Sequence, residues 1–264
     1  MTVLEPALTA DFARDGFLHL RGFFSGDEVD ELQQAIDRTS GARAGQSSLD
    51  DGEMTFYSLL FPMSTDLQAF VGQPRLVELA CALLDDDAWV RWDQAVVKRA
   101  GAPEFPWHQD NGYSLLRSPH VQAWVALTDA GPEDGGLWVV PGSHHRDLAH
   151  HDRGAHVEVD DQPTDGVAVR AGRGDLVLFS SRLLHRTTPN RSGRDRLTYV
   201  IEYLGVHALD PYVAPPYFVV SRERVPSSCF RRWIPGRRSP VQQLRYLPDR
   251  LRVRRREGTW HRGL

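Results

Sequence analysis

The chain has 264 residues, 41% of them apolar and 25% charged, and a formal net charge of −4. This composition supports an ordinary globular core and excludes a collagen-like, low-complexity or disulfide-stapled chain. The start MTVLEPALTADFARDG lacks the basic head and apolar stretch of a signal peptide, and no apolar run of roughly 18 residues occurs, so the expectation is a cytoplasmic protein without a membrane span.

Residues 9–15 and 25–38 read as helices. The second opens on Ser25-Gly26-Asp27-Glu28, in which serine and glutamate three apart cap each other's backbone N–H, and Val29, Leu32 and Ile36 then recur at helical spacing. Between the helices, Phe17-Leu18-His19-Leu20 reads as a short strand, with His19 a sheet residue because nothing nearby completes a site. Residues 40–53 are small, polar and glycine-rich and read as a loop. Pro74 opens a third helix with Leu76, Leu79, Ala80 and Leu83 on one face.

From Ala88 onward the texture changes. Short apolar runs alternate with turn signals at Trp89–Lys98, Val121–Thr128, Leu137–Val140, His156–Val159, Val167–Val169, Asp175–Phe179 and Leu197–Leu204. Such spacing predicts a β sandwich or barrel, and helices gathered ahead of it give an all-β core with flanking helices, an α+β arrangement. The expectation is one domain over 1–264: a mainly helical part at 1–87, a strand-rich core at 88–205 and a basic extension at 206–264 packing on or near it. From Arg222 onward 13 arginines face Glu223, Asp249 and Glu257, so this segment carries +10 and the rest −14. The plain reading is a solvated tail against an acidic body; docking of a phosphate-bearing or acidic partner is the alternative. Cys81 and Cys229 form no CxxC pair and read as small buried groups.

The informative segment is Pro106-Trp107-His108-Gln109-Asp110. In an extended strand His108 and Asp110 point to one face and Gln109 to the other. Two histidines and a carboxylate on one face of an octahedral ion leave the opposite face open for a co-substrate and dioxygen, the arrangement of iron(II) oxygenases. HxD alone is a weak signal. The second histidine has candidates in His120, His144, His145, His150, His151, His156, His185, His207 and His261. His185 is the best placed, because it follows the buried run Leu176–Phe179 where the chain leaves the sheet; His144 and His145 sit in a tight turn, and His150 and His151 read as exposed. Arg196 stands at the start of the run Leu197–Leu204, so its planar fork can face inward to a carboxylate, with the Thr187 hydroxyl beside it.

Taken in order, Phe12–Phe17, Trp107–Asp110, Val121–Leu127, Asp134–His144, Gly174–Phe179 and His185–Asn190 resemble the phytanoyl-CoA dioxygenase family of iron(II)/2-oxoglutarate oxygenases over roughly 10–205. The resemblance implies a double-stranded β-helix, or jelly roll, with flanking helices. It implies Fe(II) on His108, Asp110 and His185, and 2-oxoglutarate on Arg196 and Thr187, with Gln109 and Trp124 lining the pocket. Lys98, the one lysine in the chain, falls near a lysine often seen ahead of the HxD strand. With O2, the implied reaction releases succinate and CO2 and hydroxylates an unactivated carbon. Desaturation, cyclisation or epimerisation by the same oxidant is the alternative, and a non-oxidative cupin-like metal protein a more distant one. Because Asp110 occupies the carboxylate position, halogenation is disfavoured.

Substrate residues are less readable. Tyr113 and Asn111 are expected to border the cavity, and Tyr57, with Phe56 and Phe61, to supply an aromatic wall or plain core. The expected partner is a small natural-product or lipid-like molecule, free or presented on coenzyme A or a carrier protein; no nucleic acid is expected, and the chain reads as a monomer or homodimer.

Overall fold

Ser25 and Glu28 do cap one another: Ser25 N donates to the Glu28 carboxylate at 2.8 Å and Glu28 N to Ser25 Oγ at 3.2 Å. In this computed structural model, which describes residues 6–42, 48–50, 52–114, 116, 118, 120–152, 156–160, 163–208, 210, 213, 217–220 and 231–234, that box starts helix α2 (Gly26–Ala42). α2 runs past the expected end, and in its last turns the Thr39 hydroxyl donates back to Ala35 O at 2.7 Å. α1 (Pro6–Asp15) precedes it, and α3 (Thr65–Val71) and α4 (Pro74–Leu84) follow. α3 has no sequence signature of its own, being too short to show a period. It starts at Ser64, whose hydroxyl accepts from Leu67 N.

Between α1 and α2 lies β1 (Phe17–Leu20), where His19 reaches Asp175 at 2.8 Å, as a sheet residue should. The region expected to be a loop at 40–53 contains β2 (Ser48–Asp50), paired with β3 (Met54–Ser58). β2 is not apparent in the sequence because its pairing is supplied by a neighbour rather than by its own polar residues. After the helices come β4 (Ala88–Lys98), β5 (Phe105–His108), a single turn of helix α5 (Asn111–Ser114), β6 (Val121–Ala126), β7 (Leu137–Val139), β8 (His150–Asp152) and β9 (Val157–Val159). β10 (Val167–Ala168), β11 (Leu176–Ser180), β12 (His185–Thr187), β13 (Arg196–Gly205), β14 (Tyr217–Val220) and β15 (Arg231–Ile234) complete the order.

Among the described residues the strands form a large sheet with the path β1-β11-β6-β13-β4-β14-β15, β3 also joining β4, a smaller sheet β10-β7-β12-β5 and a separate pair β8-β9. All pairings are antiparallel. The alternation along β13 sorts two interiors. Tyr199, Ile201 and Tyr203 face α2–α4 and join their apolar residues in one core. Val200 on the opposite face joins Trp124, Leu137, Val139 and Phe179 between the two sheets. The result is a jelly roll with helices packed on the outside of its large sheet.

At the Glu202 end of the barrel, Arg91 bonds Glu202 at 2.9 Å and Asp210 at 2.5 Å, and His120 Nε2 lies 2.5 Å from Glu202. All of these carboxylates are buried. Arg91→Leu leaves both without their cation, and a loss of about 3–5 kcal/mol is expected in urea denaturation. A loss below about 1 kcal/mol would show that water already reaches the network.

Cys81 is buried and reduced; Cys229 and, apart from the β15 backbone, the arginine-rich segment 222–264 lie outside the described residues. No described helix is long and apolar enough to cross a membrane.

Candidate metal and co-substrate site

The small sheet brings His108 and His185 directly opposite one another in register at the ends of β5 and β12. Their rings lie 4.2 Å apart between centroids. Asp110 is not on the strand, as a fully extended HxD would have it. β5 ends at His108, and turn bonds from Gly112 N to Gln109 O and Tyr113 N to Asp110 O carry the chain into α5. The carboxylate nonetheless turns back, with Oδ1 3.5 Å from His108 Nε2 and 3.6 Å from His185 Nε2. Among the described residues, His108, Asp110 and His185 are the group whose ligand atoms can share one ion.

Both histidines are preset for that role. His108 Nδ1 lies 2.8 Å from Pro106 O and His185 Nδ1 2.9 Å from Leu183 O. A carbonyl can only accept, so Nδ1 carries the proton and Nε2 offers its lone pair toward Asp110. Burial, then the neighbouring His108, pushes His185 down to about 4, so it is neutral at pH 7. Burial pushes Asp110 up, but His185 and His108 outweigh it and hold it at about 2, ionised. Two imidazoles and one carboxylate, with His108 and His185 walled by Phe105 and Phe179 at 4.9 Å and 4.8 Å, match the donor set of a non-haem iron(II) centre.

On the large sheet, Lys98 of β4 and Arg196 of β13 are register partners, 0% and 2% exposed. Lys98 Nζ donates to Thr187 Oγ1 at 2.9 Å and Arg196 to Thr198 Oγ1 at 2.9 Å, with the Trp124 ring 6.0 Å from the guanidinium. Arg196 Nε has no hydrogen-bond partner. Burial first, and Arg196 second, push Lys98 down to about 7, while burial lowers Arg196 to about 10. Glu104 acts on Lys98 only from beyond ion-pair distance, so two buried cations with no ion pair to a described carboxylate are costly by themselves and complementary to a bound carboxylate. That is the fit expected of 2-oxoglutarate. Gly135, at φ +73°, lies where a Cβ would come within 2.8 Å of the Lys98 stem, so the lysine is confined as well as buried.

The remaining expected residues divide. Tyr113 stands 5.8 Å from the His108 ring and its hydroxyl accepts from Val157 N. Asn111 is buried with its amide bonded to Leu116 N and O, which shapes the loop rather than opening onto the site. The Gln109 amide engages the backbone of Arg146, Leu148 and Arg182. Tyr57 packs into the helix-side core, as does Phe61. Its neighbour Phe56 faces the other way, against Val96 and Phe105. Alternation along β3 thus puts Phe56 on the barrel side, and the sequence alone could not fix that parity. His150, expected to be exposed, is half-buried and bonded to Gln109 N. Phe105 was also missed; its place three residues before His108 gave no alternation signal, yet its ring packs on the imidazole.

The profile of the phytanoyl-CoA dioxygenase (PhyH) family matches residues 12–198. L-proline trans-4-hydroxylase of Streptomyces griseoviridis is 29% identical over 260 residues, covering 86% of this chain and 97% of that one. Ectoine dioxygenase of Streptomyces coelicolor is 26% identical over 251 residues, 81% of this chain and 83% of that one. Among solved structures, the non-haem α-ketoglutarate-dependent carbocyclase SnoK from nogalamycin biosynthesis shares the fold at a TM-score of 0.66 and 24% identity, covering 79% of this chain and 87% of that one. The chain belongs to the phytanoyl-CoA dioxygenase family and is an iron(II)- and 2-oxoglutarate-dependent oxygenase.

Proposed function

We propose that His108, Asp110 and His185 hold the iron(II), and that Lys98, Arg196 and Thr187 receive the distal carboxylate of 2-oxoglutarate over Trp124. The observation that carries this reading is the pairing of a preset Nε2–Oδ1–Nε2 cluster with two buried cations that make no ion pair with a described carboxylate. Iron bound there supplies the redox chemistry that couples decarboxylation of 2-oxoglutarate to oxidation of a substrate C–H bond by dioxygen. The chain's part is orientation and exclusion. Pro106 O and Leu183 O fix the imidazole tautomers, Asp110 supplies the negative charge, Thr187 steadies the Lys98 ammonium, and Phe105, Phe179 and Trp124 keep water away.

The substrate we propose is a small, free, polar molecule rather than an acyl chain on a carrier. Along the inner face of the large sheet, away from Arg196, register places Gln94 beside Val200 and Gln122 beside Glu202. A polar wall of this kind suits hydrogen-bonding groups and not a hydrocarbon. Relatives named for L-proline and ectoine point to the same class. Hydroxylation is the proposed outcome; the SnoK likeness keeps cyclisation as the second reading. Screening small polar metabolites for substrate-stimulated succinate release tests the class. Stimulation by acyl thioesters alone would sink it.

A pH dependence follows from Lys98. Its protonated form attracts the carboxylate, and the free protein's pKa of about 7 is raised when the anion binds. Affinity is therefore fully present below pH 7 and falls above it, by up to about tenfold per pH unit. The KM for 2-oxoglutarate should rise from pH 7 to 9 in wild type and stay flat over that range in Lys98→Met. A flat wild-type profile would remove Lys98 from the co-substrate site.

A further inference from the structure

We infer that His150 is a positioning residue for the metal centre, holding the main chain between His108 and Asp110 through its Nε2. The inference rests on the ligand assignment proposed above. His150 repeats the arrangement of the two ligand histidines: its Nδ1 lies 2.9 Å from Leu148 O, two residues back. Nδ1 therefore carries the proton and Nε2 presents a lone pair. Where His108 and His185 turn that lone pair toward Asp110, His150 accepts the backbone N–H of Gln109 at 2.9 Å. The tautomer is thus fixed from both sides by groups that cannot exchange roles.

Gln109 is the residue between the two ligands on this segment, and the same loop grips its side chain. Gln109 Nε2 donates to Arg146 O at 2.8 Å and to Arg182 O at 2.5 Å, and Oε1 accepts from Leu148 N at 3.0 Å. Gly112 completes the clip, since a Cβ there would come within 2.7 Å of the His150 ring. The need for a clip is visible in the fold. Strand pairing ends at His108, so no ladder holds residues 109 and 110, and the distance from the imidazole to the Asp110 carboxylate depends on what replaces it. The bonds to His150, to the 146–148 backbone and to Arg182 O, with Asn111 N on Ser181 O just beyond, are that replacement.

The test uses full-length protein stripped of metal and titrated with Co(II), alongside thermal melts of the same metal-free samples. His150→Leu fills the space without an acceptor, whereas His150→Gln returns a carbonyl oxygen near the lost Nε2. His150→Leu is expected to weaken Co(II) binding by about 10–100-fold, with His150→Gln recovering most of it while the metal-free melts of the two variants coincide. Unchanged affinity in His150→Leu, or equal losses in both variants, overturns the inference. Gly112→Ala, which presses a methyl on the imidazole, provides a second measure should the leucine variant fail to fold: its affinity should also fall, and an unchanged value overturns the inference too. Wild type binding Co(II) no better than Asp110→Ala would instead overturn the ligand assignment, and this inference with it.

Discussion

Replacing Arg196 by methionine is expected to weaken 2-oxoglutarate binding by about 100-fold while raising the melting temperature of the ligand-free protein. The two effects have one cause. The guanidinium is 2% exposed, makes one hydrogen bond to Thr198, has an orphaned Nε and faces a second buried cation at Lys98. In the absence of an anion it is a destabilising element, and replacing such a charge with an apolar side chain commonly gains about 1–4 kcal/mol. In a chain of this size that corresponds to several degrees at about 2–4 °C per kcal/mol. Under the proposed assignment the same group forms a charge-assisted contact when the co-substrate binds, and its loss of roughly 3 kcal/mol is the 100-fold weakening. Isothermal titration with 2-oxoglutarate and a thermal melt measure the two halves separately. Unaltered affinity would remove Arg196 from the anchor. A lowered melting temperature would show that the guanidinium is already satisfied by groups within the fold.

Asp110→Ala is expected to lower metal affinity by at least about 100-fold, beyond what loss of an outer partner usually costs, and to abolish succinate formation. The carboxylate is the one anionic donor in the cluster, held ionised at about 2, and its Oδ1 lies nearly equidistant from the two Nε2 atoms. Without it, two imidazoles remain, a pair with neither the charge nor the third position of a facial site. Two readouts separate the possibilities. Anaerobic iron(II) with 2-oxoglutarate should give the weak visible band of the chelate in wild type and not in the variant. Full activity in Asp110→Ala would mean that another group completes the site.

What the sequence revealed of this molecule was local in origin. The capping box at Ser25 and Glu28, the periodic face of α4 and the short apolar runs of β4, β6, β11 and β13 between turn signals each carry their signal within a few residues, and the fold follows those signals. The strand order was legible through the family resemblance and not through any pairing visible in the chain. His108 and Asp110 announced themselves because two ligand types stood two residues apart. His185 needed the strand before it, and the register that sets it against His108 is a property of the folded sheet. Of Tyr57 and Phe56, read alike as aromatic wall or core, the fold sends Tyr57 to the helix-side core and turns Phe56 to the barrel, a parity that no residue of the run marks. His150 reads as exposed in the sequence because its partner is a backbone N–H 41 positions away, a group every residue has and no sequence marks.

The proposed anchor and the two histidines of the proposed metal site stand on different sheets. Lys98 and Arg196 belong to the large one, whereas His108 and His185 close the small one. The separation between them is set by the layer of side chains in the middle, Trp124, Leu137, Val139 and Phe179. Under the proposed assignment this layer acts as a length gauge for the co-substrate, with the packed interior as its spacer. A diacid one methylene shorter or longer must either leave one end unbound or move two sheets against each other. Selectivity for a five-carbon keto diacid would then reside in the thickness of the core as much as in the groups that hold its charged ends.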